Sequence, residues 1–146
     1  MKRHLTITMA LMMFMAVVTI TAEAQSSGSQ QMRARIPFAF NVGKTNLPAG
    51  EYTVTVVNPS SDRKILQVRS KDGRSSAIIQ TTGITSVNTD DAKLVFNRYD
   101  DTYFFAQVRM AGDSTTLAAV KTSAERNKEH AVASRGRKST VAIAAE

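Results

Sequence analysis

A chain of 146 residues is one domain, or one domain and a processing segment. It carries 19 Lys and Arg against 12 Asp and Glu, a formal charge of +7, and no cysteine. The missing cysteine excludes disulfide staples, thiol nucleophiles, thiolate metal sites and a lipid anchor on a processed N-terminal Cys, so packing alone must hold the domain together.

Lys2 and Arg3 precede an uncharged apolar run from Leu5 to Ile20, and Thr21-Ala22-Glu23-Ala24 follows. A positive start, an apolar stretch and an A-x-A site form the pattern of a secretory signal, with cleavage expected between Ala24 and Gln25. The run falls short of the roughly 20 residues a membrane-spanning helix needs. No later stretch is apolar enough to span, so residues 1–24 are read as a signal peptide and the remainder as exported to the periplasm or beyond. Residues 25–32, QSSGSQQM, are small and polar and read as a flexible leader.

From residue 33 to 120 the chain alternates and turns. Phe38, Phe40 and Val42 have the period of a half-buried strand, with Pro37 at its start. Leu47-Pro48-Ala49-Gly50 is the expected reversal into Glu51–Val57, where Tyr52, Val54 and Val56 share a face. This pair is expected to seed the core. After the turn cluster 58–62, Lys64–Ser70 is a third strand, Asp72-Gly73 a hairpin turn and Ser76–Thr82 a fourth strand. Residues 83–89 fit an irregular strand or a loop. Lys93–Tyr99 and Tyr103–Met110 form a hairpin around Asp100-Asp101, with aromatics on both faces, and Ser114–Val120 is a last strand.

At Thr122 the pattern changes. Thr122-x-x-Glu125 matches a capping box opening a helix that runs towards Ser134, with Ala124, Ala131 and Val132 as a thin apolar face. Residues 121–146 are thus a helix and a basic tail, whose TVAIAA end fits an edge strand or a loose terminus. Overall the pattern predicts an all-β, mainly antiparallel domain. It would be a single small sandwich or up-and-down barrel of seven or eight strands with one C-terminal helix.

The chemistry is sparse. His130 is the one histidine after the leader, so an imidazole metal site has no second ring to build on, and a Ser-His-Asp triad would have to recruit that same residue from the weakly attached helix. No metal or cofactor is expected. Asp90-Asp91 and Asp100-Asp101 pair in sequence, but neighbours on a strand face opposite ways, so turn chemistry explains them better than a calcium or glycosidase site. Arg98, Tyr99, Tyr103 and Arg109 offer a polar-aromatic patch on one hairpin, suited to sugar rings or anions, against the plainer reading of snorkelling arginines and core tyrosines. Arg135, Arg137 and Lys138, with Arg126 and Lys128, make the tail basic and suit contact with an anionic surface. Glycines sit singly in turns, with no phosphate-cradling loop.

The phrases IPFAFNVGKTNLPAGEYTV (Ile36–Val54), ILQVRSKDGRSSA (Ile65–Ala77), KLVFNRYDDTYFFAQV (Lys93–Val108) and SAER (Ser123–Arg126) resemble, in order and spacing, a family of small exported β-rich proteins of soil bacteria. Members of that family generally lack an assigned activity. The resemblance implies export and a compact β-domain, and it brings no catalytic or binding residues with it.

The expected function is therefore a secreted, non-enzymatic β-domain with a binding or structural role in the envelope. An anionic envelope component or a small apolar ligand is the expected partner, and nucleic acid is not. The competing expectation is a hydrolase acting on envelope polymer or glycan through carboxylates that the fold brings together.

Overall fold

The computed structural model describes residues 30–85, 91–133 and 137–146. The expected signal peptide with its Ala24/Gln25 site, Asp90 and Arg135 lie outside the described residues.

The described chain forms ten strands and one helix. These are β1 (Gln31–Ile36), β2 (Phe40–Val42), β3 (Thr45–Leu47), β4 (Gly50–Val56), β5 (Ile65–Ser70), β6 (Ser76–Thr85), β7 (Lys93–Tyr99), β8 (Thr102–Arg109), β9 (Thr115–Ala119), α1 (Ser123–Ala133) and β10 (Lys138–Ala144). A mostly antiparallel β-fold with one helix is what the sequence predicts; the strand count is higher.

Alternation builds the wall. Met32, Ala34 and Ile36 of β1, Tyr52, Val54 and Val56 of β4, Leu66 and Val68 of β5, and Ala77 and Ile79 of β6 are buried, while the residues between them face outward. Around the molecule the order is β1-β4-β5-β6-β9-β8-β7-β10, each pair antiparallel. The end of the chain returns to β1. Arg33 N–H donates to the Glu146 carbonyl at 2.7 Å, and Glu146 N–H donates to the Arg33 carbonyl at 2.9 Å. Two residues exchanging both bonds are an antiparallel pair, so the eight strands close into a barrel. β9 sits beside β6 rather than in chain order, so the path is not purely up-and-down.

β9 covers only the second half of β6, pairing Thr81–Thr85 with Thr115–Ala119. The β2–β3 hairpin fills the space beside the first half. Asn41 pairs in parallel with Phe104 of β8, and β3 packs against β6. Gly43, with φ +62, makes this two-strand reversal, where an L side chain would be strained. Phe40, Val42 and Leu47 project into the barrel core. Rings fill its axis edge to face: Tyr52–Phe40 at 5.1 Å, Phe40–Phe96 at 5.3 Å and Phe96–Phe105 at 5.8 Å.

A β-bulge between β7 and β8 sets the second layer. The register steps from Val95↔Gln107 to Phe96↔Phe105, leaving Ala106 as the extra residue. Phe105 therefore points into the core with Val108, whereas Phe104 points outward, against the simple alternation expected for Tyr103–Met110. Phe104 and Tyr99 pack under Val132 of α1. Ala124 and Ala131, expected on the helix's inner face, are exposed; the inward residues are Glu125 and Val132.

Two further expectations change and one open alternative is decided. Residues 31–32, read as the end of a flexible leader, start β1, and Met32 is buried. β4 pairs with β1 and β5, not with the Phe38–Val42 segment, which forms its own hairpin with β3. Of the TVAIAA end, open between an edge strand and a loose terminus, residues 140–144 lie in β10 against β7, and Glu146 just beyond pairs with Arg33.

Candidate functional site

The patch expected on the β7–β8 hairpin separates into three environments. Arg98 and Tyr103 are cross-strand partners, with the guanidinium 5.6 Å from the ring centroid, and Tyr103 stacks on Phe38 at 3.9 Å. Arg98 Nε donates to the Asp100 carbonyl at 2.7 Å and its Nη2 lies 3.5 Å from Asp101. Tyr99 is fully buried beneath α1. Arg109 stands at the far end of the hairpin, opposite Lys93, with Nε 3.4 Å from Thr116 Oγ1. Arg98 and Tyr103 thus meet, and Tyr99 and Arg109 belong elsewhere.

Under the helix lies a crevice of about 310 Å³ lined in part by Asn97, Gln107, Lys121, Glu125 and Lys138. Glu125 is only 4% exposed. Its Oε1 accepts from Asn97 Nδ2 at 2.9 Å and from the Tyr99 hydroxyl at 3.4 Å. Half of the expected capping box forms, with Glu125 N–H donating to Thr122 Oγ1 at 3.2 Å; the carboxylate itself turns into the sheet. Burial, then the charges of Glu125 and Glu129, hold the Tyr99 phenol well above its ordinary value. Glu129 receives Lys121 Nζ at 2.7 Å and Lys138 Nζ at 2.6 Å, and these bonds draw its carboxyl down to about 2. Lys138 is therefore ion-paired and sits 5.9 Å from the Tyr99 ring centroid, while Arg137 is exposed. This crevice is an anchor for the helix: its charges satisfy one another.

A second concavity is larger, and its lining carries four cations, Arg33, Arg35, Arg69 and Lys71, against the acids Glu51, Asp72 and Glu146. An open groove of about 890 Å³ runs over the outer face of β1, β4 and β5. Register builds it in rows. Gln31 pairs with Thr55 and Thr55 with Gln67; Arg33 pairs with Thr53 and Thr53 with Arg69; Arg35 pairs with Glu51, beside Lys71. All these side chains occupy the outward positions of their strands. Lys71 Nζ contacts Glu51 at 2.6 Å, and this hydrogen bond, with Arg35 nearby, lowers the Glu51 carboxyl. Asp72 is lowered by Ser70 Oγ at 2.6 Å and by the Arg74 N–H, bonds that also fix the hairpin turn around Gly73 (φ +72). Arg33 and Arg69 are exposed and carry no ion pair among the described residues.

None of the groove's cations stands out in sequence, because the signal requires knowing that β1 and β5 flank β4. The alternation Met32-Arg33-Ala34-Arg35-Ile36 was the available clue.

Of the acidic pairs, Asp100 takes φ +54 in the β7–β8 turn, Asp101 meets Arg98 and Asp91 is exposed. Among the described residues no three of His, Cys, Asp and Glu gather as a metal site would require, and no helix is long and apolar enough to cross a membrane. Comparison with protein-family models, curated proteins and solved structures finds no match.

Proposed function

We propose that the protein is an exported, non-enzymatic β-domain that binds an anionic envelope component on the outer face of β1, β4 and β5. One observation carries this reading. The row Arg33-Thr53-Arg69 sets two exposed arginines, neither ion-paired among the described residues, on the strands either side of Thr53 in the lining of an open groove, with the Arg69 guanidinium lying against the Gly73 turn. Guanidiniums offer forked donors to carboxylate, sulfate or phosphate, and they hold a lower hydration cost than ammonium groups. The chain as a whole adds a favourable field, since its formal charge is +7.

The filled core argues against the small apolar ligand. Tyr52, Phe40, Phe96 and Phe105 occupy the space in which a barrel would hold one. The basic residues near the helix argue less strongly for a surface contact than the groove does, because Lys138 and Lys121 are already committed to Glu129.

Calorimetric titration with poly-L-glutamate tests the reading. Binding is expected at low ionic strength and should weaken as salt rises, because the partners are solvent-exposed. The double charge reversal Arg33→Glu/Arg69→Glu is expected to weaken it at least tenfold with the melting temperature little changed, since both side chains face water. Equal binding by the reversed protein would refute the site.

A further inference from the structure

We infer that the partner in this groove is an acidic polysaccharide, a chain of sugars bearing carboxylate or sulfate groups. The inference rests on the anionic reading above and names the chemistry of the partner. Its carrier is the order of the rows rather than the charge alone. Gln31-Thr55-Gln67 repeats the geometry of Arg33-Thr53-Arg69 one step along the strands, with amides in place of guanidiniums. Rows two residues apart are separated by about 6.8 Å, and the flanking side chains of a row spring from strands about 10 Å apart.

A ligand lying along the strands from Arg33 towards Gln31 therefore meets a cationic row and then a neutral row, with the mixed row of Arg35, Glu51 and Lys71 on the other side. The first has forked donors for an acid group. The second has two amides and a threonine hydroxyl, each able to donate and accept, which is the complement of sugar hydroxyls. A polymer that carries only charge uses the first row and leaves the second row's donors and acceptors to water.

Other anionic partners fit less well. β4 is hydrogen-bonded on both edges, to β1 and to β5, so a peptide has no free ladder there and would have to be held by side chains alone. A bilayer is a broad, nearly flat surface that rewards apolar insertion, whereas the outward positions of these rows are polar throughout and the site is a groove.

Four probes separate these outcomes: alginate, a polyuronate; dextran, a neutral polysaccharide; poly-L-glutamate; and phosphatidylglycerol vesicles. Each is titrated against the protein and against two variants, Arg33→Ala/Arg69→Ala and Gln31→Ala/Gln67→Ala. All four side chains face outward, and circular dichroism melts check that both variants fold. Alginate is expected to bind at least tenfold more tightly than poly-L-glutamate at equal charge concentration, with no binding to dextran. Arg33→Ala/Arg69→Ala should weaken both polyanions at least tenfold. Gln31→Ala/Gln67→Ala should weaken alginate three- to tenfold and leave poly-L-glutamate unchanged.

Poly-L-glutamate binding as tight as alginate, with the glutamine variant silent on both, overturns the polysaccharide and leaves the anionic site standing. Vesicle binding that needs Arg33 and Arg69, without alginate binding, also overturns it. Absence of any arginine-dependent binding overturns both readings together.

Discussion

Phe96 touches three rings, Phe38 and Phe40 each at 5.3 Å and Phe105 at 5.8 Å, and so ties the β2–β3 hairpin to the β7–β8 wall. Truncation there leaves a cavity that several stiff neighbours cannot refill. Phe96→Ala is expected to cost about 3–5 kcal/mol, read from urea denaturation. Glu125 is the polar counterpart. Replacing it by alanine leaves Asn97 Nδ2 and the Tyr99 hydroxyl beneath the helix with no acceptor at that place, an expected loss of about 1–3 kcal/mol. The role of Phe96 was legible from strand alternation. That of Glu125 was not, since the capping-box rule assigns its carboxylate to the helix's own N-terminus. In the folded chain the sheet beneath α1 supplies two better-placed donors.

At the scale of elements, α1 is held by one apolar contact group and a set of ionic ones. Val132 packs on Tyr99 and Phe104, and Glu129 bridges Lys121 on the approach to the helix and Lys138 on β10. Glu129 sits at about 2, below its ordinary 4.5, so its contribution is complete above pH 4.5 and disappears as pH falls through about 2. The lowered Glu51 and Asp72 carboxyls act in the same direction. The urea midpoint should therefore drop between pH 4.5 and 2, and Glu129→Gln should flatten part of that drop while lowering the midpoint at neutral pH. An unchanged acid limb in the variant would show that the bridge does not hold the helix.

The strands β4, β5 and the first half of β6 were readable because each alternates strictly between turn residues. The β7–β8 bulge is not legible in the sequence: Ala106 is small enough to be accommodated on either face, and strict alternation groups Phe104, not Phe105, with Val108. β1 was partly missed because Gln31, Arg33 and Arg35 give it the polarity of the leader before it.

For the whole molecule, closure joins the two ends of the described chain. Arg33 and Glu146 exchange both backbone bonds, and Ala145 N–H donates to the Ala92 carbonyl at 3.0 Å, so the last residues share the cooperativity of the barrel. Removing residues 137–146 strips β7 of one neighbour and opens β1. This truncation is expected to abolish a cooperative melt rather than only trim a tail, as checked by calorimetry. The same closure gives the outer face its groove, since residues 144–146 line it beside β1. Such a site is a property of register: Arg33 and Arg69 stand 36 positions apart in the chain and share a row only because β4 lies between them.

The binding face is tested most directly by backbone amide NMR of the isotopically labelled protein titrated with alginate. The largest saturable shifts are expected at Gln31, Arg33, Thr53, Thr55, Gln67 and Arg69, fading as salt rises. Shifts centred instead on α1, Arg137 and Lys138, or no saturable shift at low salt, would contradict the assignment of the β1–β4–β5 face.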